Sequence, residues 1–265
     1  MTTKRHILVL DSGIGGLTIH DEIAKKMPNA SIAYFADHQF FPYGDKDEQW
    51  LVERSVAIVR HFIQKCDPEL VVVACNTAST VVLPRLRAEF DIHIVGVVPA
   101  IKPAGDSLDG GKIGLLATEG TVTRSYTQQL VDDFASHCSF VAVGSNELVK
   151  IAEEKLAGKK VSTQDIRNIC APFWNDGVSS VHAIVLGCTH FPFLKEELRS
   201  IIPDSVQLID SGSAIALRVK SLLKPLPSIE AEHSFYSSGE EVLSGPLKKF
   251  LFERSFKVLL DKVRF

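Results

Sequence analysis

Short apolar runs broken by polar, glycine-containing turns recur along this chain, and between them lie segments whose apolar residues repeat every three or four positions. Runs of this kind predict strands buried on both faces, while the three-to-four spacing predicts amphipathic helices. Strands are predicted at residues 7–10, 31–35, 71–73, 93–98, 112–117, 140–143, 181–187 and 206–209. Predicted helices follow the turn at 11–16, ending before Pro28, and then cover 46–65, 83–90, 124–135, 147–156 and 194–202. In the second of these, Leu51, Val52, Ala57, Ile58 and Phe62 carry the helical repeat. Ser162-Thr163-Gln164-Asp165 opens another helix with a capping-box-like pattern, and Asp210-Ser211-Gly212-Ser213 caps one that runs to 223. Lys224-Pro225-Leu226-Pro227 reads as a loop, and 233–237 with 247–252 as a last small unit.

Near-continuous β–α alternation implies an α/β fold with mainly parallel sheets and helices on both faces. The change of register at Pro99-Ala100-Ile101-Lys102-Pro103-Ala104 marks a boundary, and the pattern after Asp210 echoes that after Asp11. The expected organisation is therefore two similar α/β domains, residues 1–98 with 210–265 and residues 99–209. In such sheets ligands bind beyond the carboxyl ends of the strands. Asp11-Ser12, Cys75, residues 118–121 and Cys188 all fall at such ends.

Composition narrows the function classes. With 265 residues, 45% hydrophobic and 23% charged, the chain has the make-up of an ordinary globular protein with a sizeable core. A formal net charge of -3 gives no electrostatic footprint for nucleic acid or an anionic membrane. Five scattered cysteines without CxxC spacing argue against a disulfide framework and for a reducing cytosol. The apolar run behind the basic start stops at Asp11, too short for a signal-peptide core, and no stretch approaches the roughly 20 apolar residues of a membrane span. A cytoplasmic protein is expected.

Candidate chemistry centres on a repeated design. Val71-Val72-Val73-Ala74-Cys75-Asn76-Thr77 and Ile184-Val185-Leu186-Gly187-Cys188-Thr189-His190 both end an apolar strand in a cysteine followed by small polar residues. Backbone amides and hydroxyls there are expected to lower a thiol pKa from about 8.5. Cys66, Cys138 and Cys170 lack polar company and read as small buried hydrophobes. Asp11-Ser12-Gly13-Ile14-Gly15-Gly16 invites a dinucleotide reading with Asp37 as the ribose acid, but Thr18 stands where that fingerprint needs Gly or Ala. A zinc site from Cys75, Cys188, His190 and Asp11 is a second reading, and a Cys188/His190 nucleophile pair, which leaves Cys75 unexplained, a third. A two-base proton transfer at carbon uses both thiols, one on each face of a planar carbanion. Spacing makes that chemistry admissible without selecting it. A two-domain binding protein that closes on an amino acid without turning it over is the alternative outside enzymology.

Six motifs in order over nearly the whole chain carry a resemblance. They are Asp11-Ser12-Gly13-Ile14-Gly15-Gly16-Leu17-Thr18, Pro42-Tyr43-Gly44, Ala74-Cys75-Asn76-Thr77-Ala78-Ser79, Gly96-Val97-Val98-Pro99-Ala100, Ala117-Thr118-Glu119-Gly120-Thr121-Val122 and Gly187-Cys188-Thr189-His190-Phe191-Pro192. Together they resemble the glutamate racemases of the aspartate/glutamate racemase superfamily. The resemblance implies cofactor-independent interconversion of L- and D-glutamate for peptidoglycan, in a cleft between two α/β domains of a homodimeric enzyme. It implies that Cys75 and Cys188 are the proton donors and acceptors, with Asp11 assisting the first and His190 the second. Ser12, Tyr43, Gly44, Asn76, Thr77 and Thr189 would hold the amino acid, with Thr118 and Thr121 near it. Ser145-Asn146 stands where the family often has Cys-Pro, yet the acid eight residues on is kept as Glu153, and Val98 replaces a common Glu. No long extension precedes Ile7, so the cell-wall-precursor activation of some members is not expected on that ground.

Overall fold

The structure, a computed structural model, describes residues 6–175, 178–224, 230–239 and 244–260. Residues 1–5 of the basic start and all of the 224–227 loop but Lys224 lie outside the described residues. The first stretch alternates strictly: β1 (His6–Asp11), α1 (Leu17–Lys26), β2 (Ser31–Ala36), α2 (Glu48–Cys66), β3 (Leu70–Val73), α3 (Asn76–Glu89) and β4 (His93–Gly96). The ends of α2 are written in its sequence. The Asp47 carboxylate accepts from Trp50 N at the start, and Asp67, at φ 43° ahead of Pro68, stops it.

Helix α4 (Ile101–Asp106) carries the chain into β5 (Lys112–Ala117), α5 (Glu119–Thr123), α6 (Ser125–Phe134), β6 (Ser139–Gly144), α7 (Asn146–Leu156) and α8 (Thr163–Ile169). A short antiparallel pair, β7 (Trp174–Asn175) and β8 (Val178–Ser179), precedes β9 (Ala183–Gly187), α9 (Lys195–Ile201) and β10 (Gln207–Ile209). The chain then returns through α10 (Gly212–Leu222), β11 (His233–Ser237), α11 (Gly245–Phe252) and β12 (Phe256–Leu260). One sheet runs β12-β11-β2-β1-β3-β4 and the other β10-β9-β5-β6, with every pair in both parallel. The chain's end thus joins the sheet its beginning opened, since β11 pairs with β2.

Period-two alternation explains why these apolar runs became central strands. Ile7, Val9, Ile32, Tyr34, Leu70 and Val72 point to one face, where Leu17, Ile23, Val219 and Leu251 from α1, α10 and α11 cover them. Leu8, Leu10, Ala33, Phe35, Val71 and Val73 point to the other, under Ile58, Phe62, Val82 and Leu86 from α2 and α3. Each such aliphatic side chain contributes about 1.5–3 kcal/mol on full burial. The smaller sheet is sandwiched likewise, Leu116, Ile184 and Leu186 facing α7 and α9, and Ile113, Leu115 and Val185 facing α4. The two crossings between the sheets are tied where the Ser211 hydroxyl donates to Val98 O at 2.6 Å.

Some elements differ from the sequence expectation. Helix α3 starts directly after Cys75 instead of at 83, so Pro84 lies inside it. Helices α4 and α5 and the β7/β8 pair are too short for a hydrophobic period to show. Among the described residues, no helix is long and apolar enough to cross a membrane.

Candidate active site

Because both sheets are parallel, all their carboxyl ends gather the residues that follow them. Asp11 ends β1, Cys75 follows β3, Thr118 follows β5 and Cys188 follows β9. Asp11 is fully buried; its Oδ1 accepts Ser12 N at 2.7 Å and its Oδ2 accepts Gly16 N. Burial pushes this carboxyl above its ordinary range, although the nearby His190 charge and the two N–H donors pull it down. Cys75 sits at the N-cap of α3, buried. Its thiol is pushed up by burial and by the Asp11 charge, while the Ala78 amide and the Ser12 hydroxyl would stabilise the thiolate. The expectation that helix-start donors lower this thiol is therefore corrected: desolvation outweighs them. The charge of Cys188 also reaches Cys75 and raises it further, so the two thiols resist ionising together.

On the other side a relay runs from thiol to acid. Cys188 Sγ lies 3.7 Å from His190 Nδ1, and His190 Nε2 lies 2.8 Å from Glu153 Oε1. The same oxygen accepts Ile14 N at 3.0 Å, tying α7 to the turn after β1. Burial works against a charge on His190, but its bonds to Cys188 and Glu153 hold it well above the ordinary imidazole range. Glu153 is held well below the carboxylate range despite burial, by His190 first and His38 second. His38 Nε2 is 3.7 Å from Glu153 Oε2. The glycines of the first turn are explained by this approach. A Cβ on Gly15 would enter the His190 ring, and one on Gly13 would strike Glu153 and Phe41.

Polar side chains fill the seam between the two halves. The hydroxyls of Thr77, Thr118 and Thr121 form a triangle at 2.9, 3.3 and 2.8 Å. Ser12, Asn76 and Thr189 are buried alongside, and Asn76 Oδ1 has no hydrogen-bond partner among the described residues. Thr18, the residue that breaks the dinucleotide pattern, donates to Thr189 O at 3.0 Å. Tyr43 is buried, but its hydroxyl is turned to Asp37 at 2.6 Å, and Asp37 is held by Arg54 through two bonds at 2.9 and 2.7 Å. Gly44 meets Asn146, whose Nδ2 donates to Asp45 Oδ1 at 2.7 Å. Ser145, in the drifted pair, caps α7 by accepting Leu148 N at 3.0 Å and so aims the helix that carries Glu153. Among the described residues, no group of three or more His, Cys, Asp or Glu side chains is arranged to hold a metal ion.

The contacts bring Cys75 near Asp11 and Cys188, Cys188 to His190 and Glu153, and Thr77 to Thr118 and Thr121. His38 and Arg54 are contributors that sequence reasoning passed over, and Asp37, read there only as the ribose acid of a dinucleotide site, instead accepts from Tyr43 and Arg54. The signal for Asp37 is local, an acid just past the end of β2. For His38 there was none, because its partner Glu153 lies on a different sheet's helix.

The sequence profile of a family described as Asp/Glu/Hydantoin racemase matches residues 18–219. A glutamate racemase of Proteus mirabilis (strain HI4320) is 48% identical over 262 residues, spanning 97% of this chain and 91% of the relative. The crystal structure of Escherichia coli glutamate racemase in complex with L-glutamate and the activator UDP-MurNAc-Ala superposes with a TM-score of 0.90 at 42% identity, covering 97% of each chain. Glutamate racemase from Thermus thermophilus in complex with β-chloro-D-alanine superposes at 0.80 with 28% identity over 99% of each chain. At this identity over nearly the full length, the chain belongs to the Asp/Glu/Hydantoin racemase family, on its glutamate racemase branch.

Proposed function

We propose that this enzyme interconverts L- and D-glutamate without a cofactor, by a two-base transfer of the Cα proton between Cys75 and Cys188. The observation that carries the reading is the pairing of two buried strand-end thiols, each with its own acid–base partner: Asp11 beside Cys75, and the His190–Glu153 pair beside Cys188. Mutual repulsion favours one thiolate and one thiol at a time. One form then removes the proton from L-glutamate through Cys188, the other from D-glutamate through Cys75. The thiol opposite returns a proton to the far face of the carbanion.

Asn76 Oδ1, a buried acceptor with no partner among the described residues, suits the substrate ammonium. The hydroxyls of Ser12, Thr77, Thr118, Thr121 and Thr189 suit its two carboxylates, with Tyr43 and Gly44 offering backbone because the Tyr43 hydroxyl is taken by Asp37. Residues 1–98 with 210–265 would move as one unit against 99–209, a division supported by sheet membership and by the Ser211–Val98 tie at the crossing. Supply of D-glutamate for peptidoglycan, a cytoplasmic location and a homodimer complete the reading, as the family resemblance implies.

The test is direct. Purified protein is given L-glutamate, and circular dichroism is followed to zero as equal amounts of the enantiomers form. A protein that binds D-glutamate but leaves the signal of either enantiomer unchanged overturns the reading in favour of a binding module.

A further inference from the structure

The seam between the two sheets' helices is crossed by a side chain that the chemistry above does not use. Arg124 is the break between α5 and α6, extended at φ -77° and ψ 140°. Its guanidinium reaches across to the other half of the molecule. Nη1 donates to Thr77 O at 2.6 Å and to Thr80 Oγ1 at 2.9 Å, and Nε donates to Glu48 Oε1 at 3.1 Å. The Arg124 side chain is only 10% exposed, whereas Glu48 is 63% exposed. Thr80 itself donates to Thr77 O at 2.7 Å, so the guanidinium completes a closed set of bonds around the first turn of α3. That turn carries Thr77, whose hydroxyl meets Thr118 and Thr121 in the site. Backbones approach tightly beside it: a Cβ on Gly120 would stand 3.2 Å from Gly44 O. Arg124 thus holds α5 and its threonines against α2 and α3 where the cleft must part to admit an amino acid.

We propose that Arg124 is a positioning residue, the latch that closes the cleft on the substrate and sets the Thr77–Thr118–Thr121 triangle. The proposal rests on the racemase reading of the site. A guanidinium offers a planar fork of donors, and the latch uses it on acceptors from two different helices. A glutamine is too short and too poor in donors to span them. A lysine carries one ammonium and reaches part of the set. The latch acts on closure and not on proton transfer, so its loss weakens substrate capture while the thiols keep their partners.

The experiment compares Arg124→Gln, Arg124→Lys and Glu48→Gln with the wild type, in both reaction directions. For Arg124→Gln, KM rises at least about 10-fold for both enantiomers while kcat stays within about threefold, a loss of roughly 1.4 kcal/mol in capture. Arg124→Lys lies between this variant and the wild type. Glu48→Gln, an exposed change that leaves both threonine bonds, raises KM by about two- to threefold. If kcat falls with KM unchanged, or if KM stays within twofold in all three variants, the latch is wrong. Should Arg124→Gln fail to fold, the other two carry the same test, and unchanged KM in both overturns it. Hydrogen exchange of the 118–124 amides in ligand-free protein gives a readout independent of turnover. Exchange is faster in Arg124→Gln at matched thermal stability, and identical exchange counts against the latch. A wild type that does not racemise glutamate refutes the racemase reading, while the exchange arm still decides the latch.

Discussion

Replacing Glu153 by Gln keeps the shape of the second relay and removes its charge. A glutamine oxygen still accepts from His190 Nε2 and Ile14 N, the two bonds that Glu153 Oε1 makes at 2.8 and 3.0 Å. Unit charges at 2.8 Å attract by about 6 kcal/mol at an effective dielectric of 20, which bounds the coupling between this carboxylate and the imidazolium. Part of that attraction is offset by the cost of keeping both groups from water. The difference between a charge-assisted and a neutral hydrogen bond, about 1–2 kcal/mol, sets the lower side. A loss of about 3 kcal/mol in transition-state stabilisation, on the order of 10²-fold in kcat/KM, follows. Enantiomers have equal free energy in water, so kcat/KM must fall equally in both directions. The step that slows is the one at Cys188, and isotope effects separate it. With α-deuterated L-glutamate the primary effect grows, because removal by Cys188 becomes more limiting. With α-deuterated D-glutamate it shrinks, because removal by Cys75 no longer limits. The assay is initial rates by circular dichroism with protiated and deuterated substrates. A variant within threefold of wild type, or one whose two isotope effects change alike, refutes the relay.

Asp11→Asn is the mirror case. Both carboxylate oxygens accept backbone N–H groups, so an amide must turn its own N–H against Ser12 or Gly16. A melting temperature lower by a few degrees and an isotope effect that grows for deuterated D-glutamate are expected; growth for the L-enantiomer instead contradicts the assignment. Cys75→Ser and Cys188→Ser each lose racemisation but keep elimination from a glutamate with a leaving group on Cβ, the first for the L-configured analogue and the second for the D-configured one. Both variants processing both analogues equally refutes the division of labour. Dialysis against a chelator leaves activity intact, and loss restored by zinc revives the metal reading. His233 is partly buried beside His20, and burial first, then the His20 charge, lowers its pKa to about 4. Its folded pKa lies below the unfolded value, so the unfolded chain binds the extra proton and stability falls as pH drops from about 6.5 to 4. His233→Phe therefore loses less melting temperature over that interval than wild type, and parallel acid profiles contradict this.

What the sequence discloses follows from which constraints are local. Val71-Val72-Val73 announces a strand covered on both faces, and the structure sends Val72 one way and its neighbours the other. Cys75 and Cys188 are legible because each ends such a strand. They end strands of different sheets, however, and it is the packing of the two sheets, seen in the Thr77–Thr118 bond, that sets their ends against each other. Glu153 is reached through the family resemblance by counting eight residues from Ser145, and Ser145 caps the α7 that carries it. The sign of the Cys75 shift was not legible, since it depends on how deeply the thiol is buried, and that is a tertiary quantity. His38 and Arg124 were missed for a related reason: their partners, Glu153, Thr77 and Glu48, lie on elements distant in the chain. The Tyr43 hydroxyl shows the reverse. A motif names the residue, but only the Asp37–Arg54 contact shows where its polar end goes.

The central claim is that two different groups handle the proton, one on each face of the substrate. The most direct measurement runs the reaction from L-glutamate in D₂O and reads α-deuterium in both enantiomers by mass spectrometry at low conversion. Two bases predict D-glutamate deuterated from the first turnover, while recovered L-glutamate stays protiated, because Cys188 keeps the proton it removed and Cys75 supplies a solvent-derived one. Protium carried over into the D-glutamate, or deuterium entering the recovered L-glutamate at the rate of product formation, would point to a single base and contradict the account.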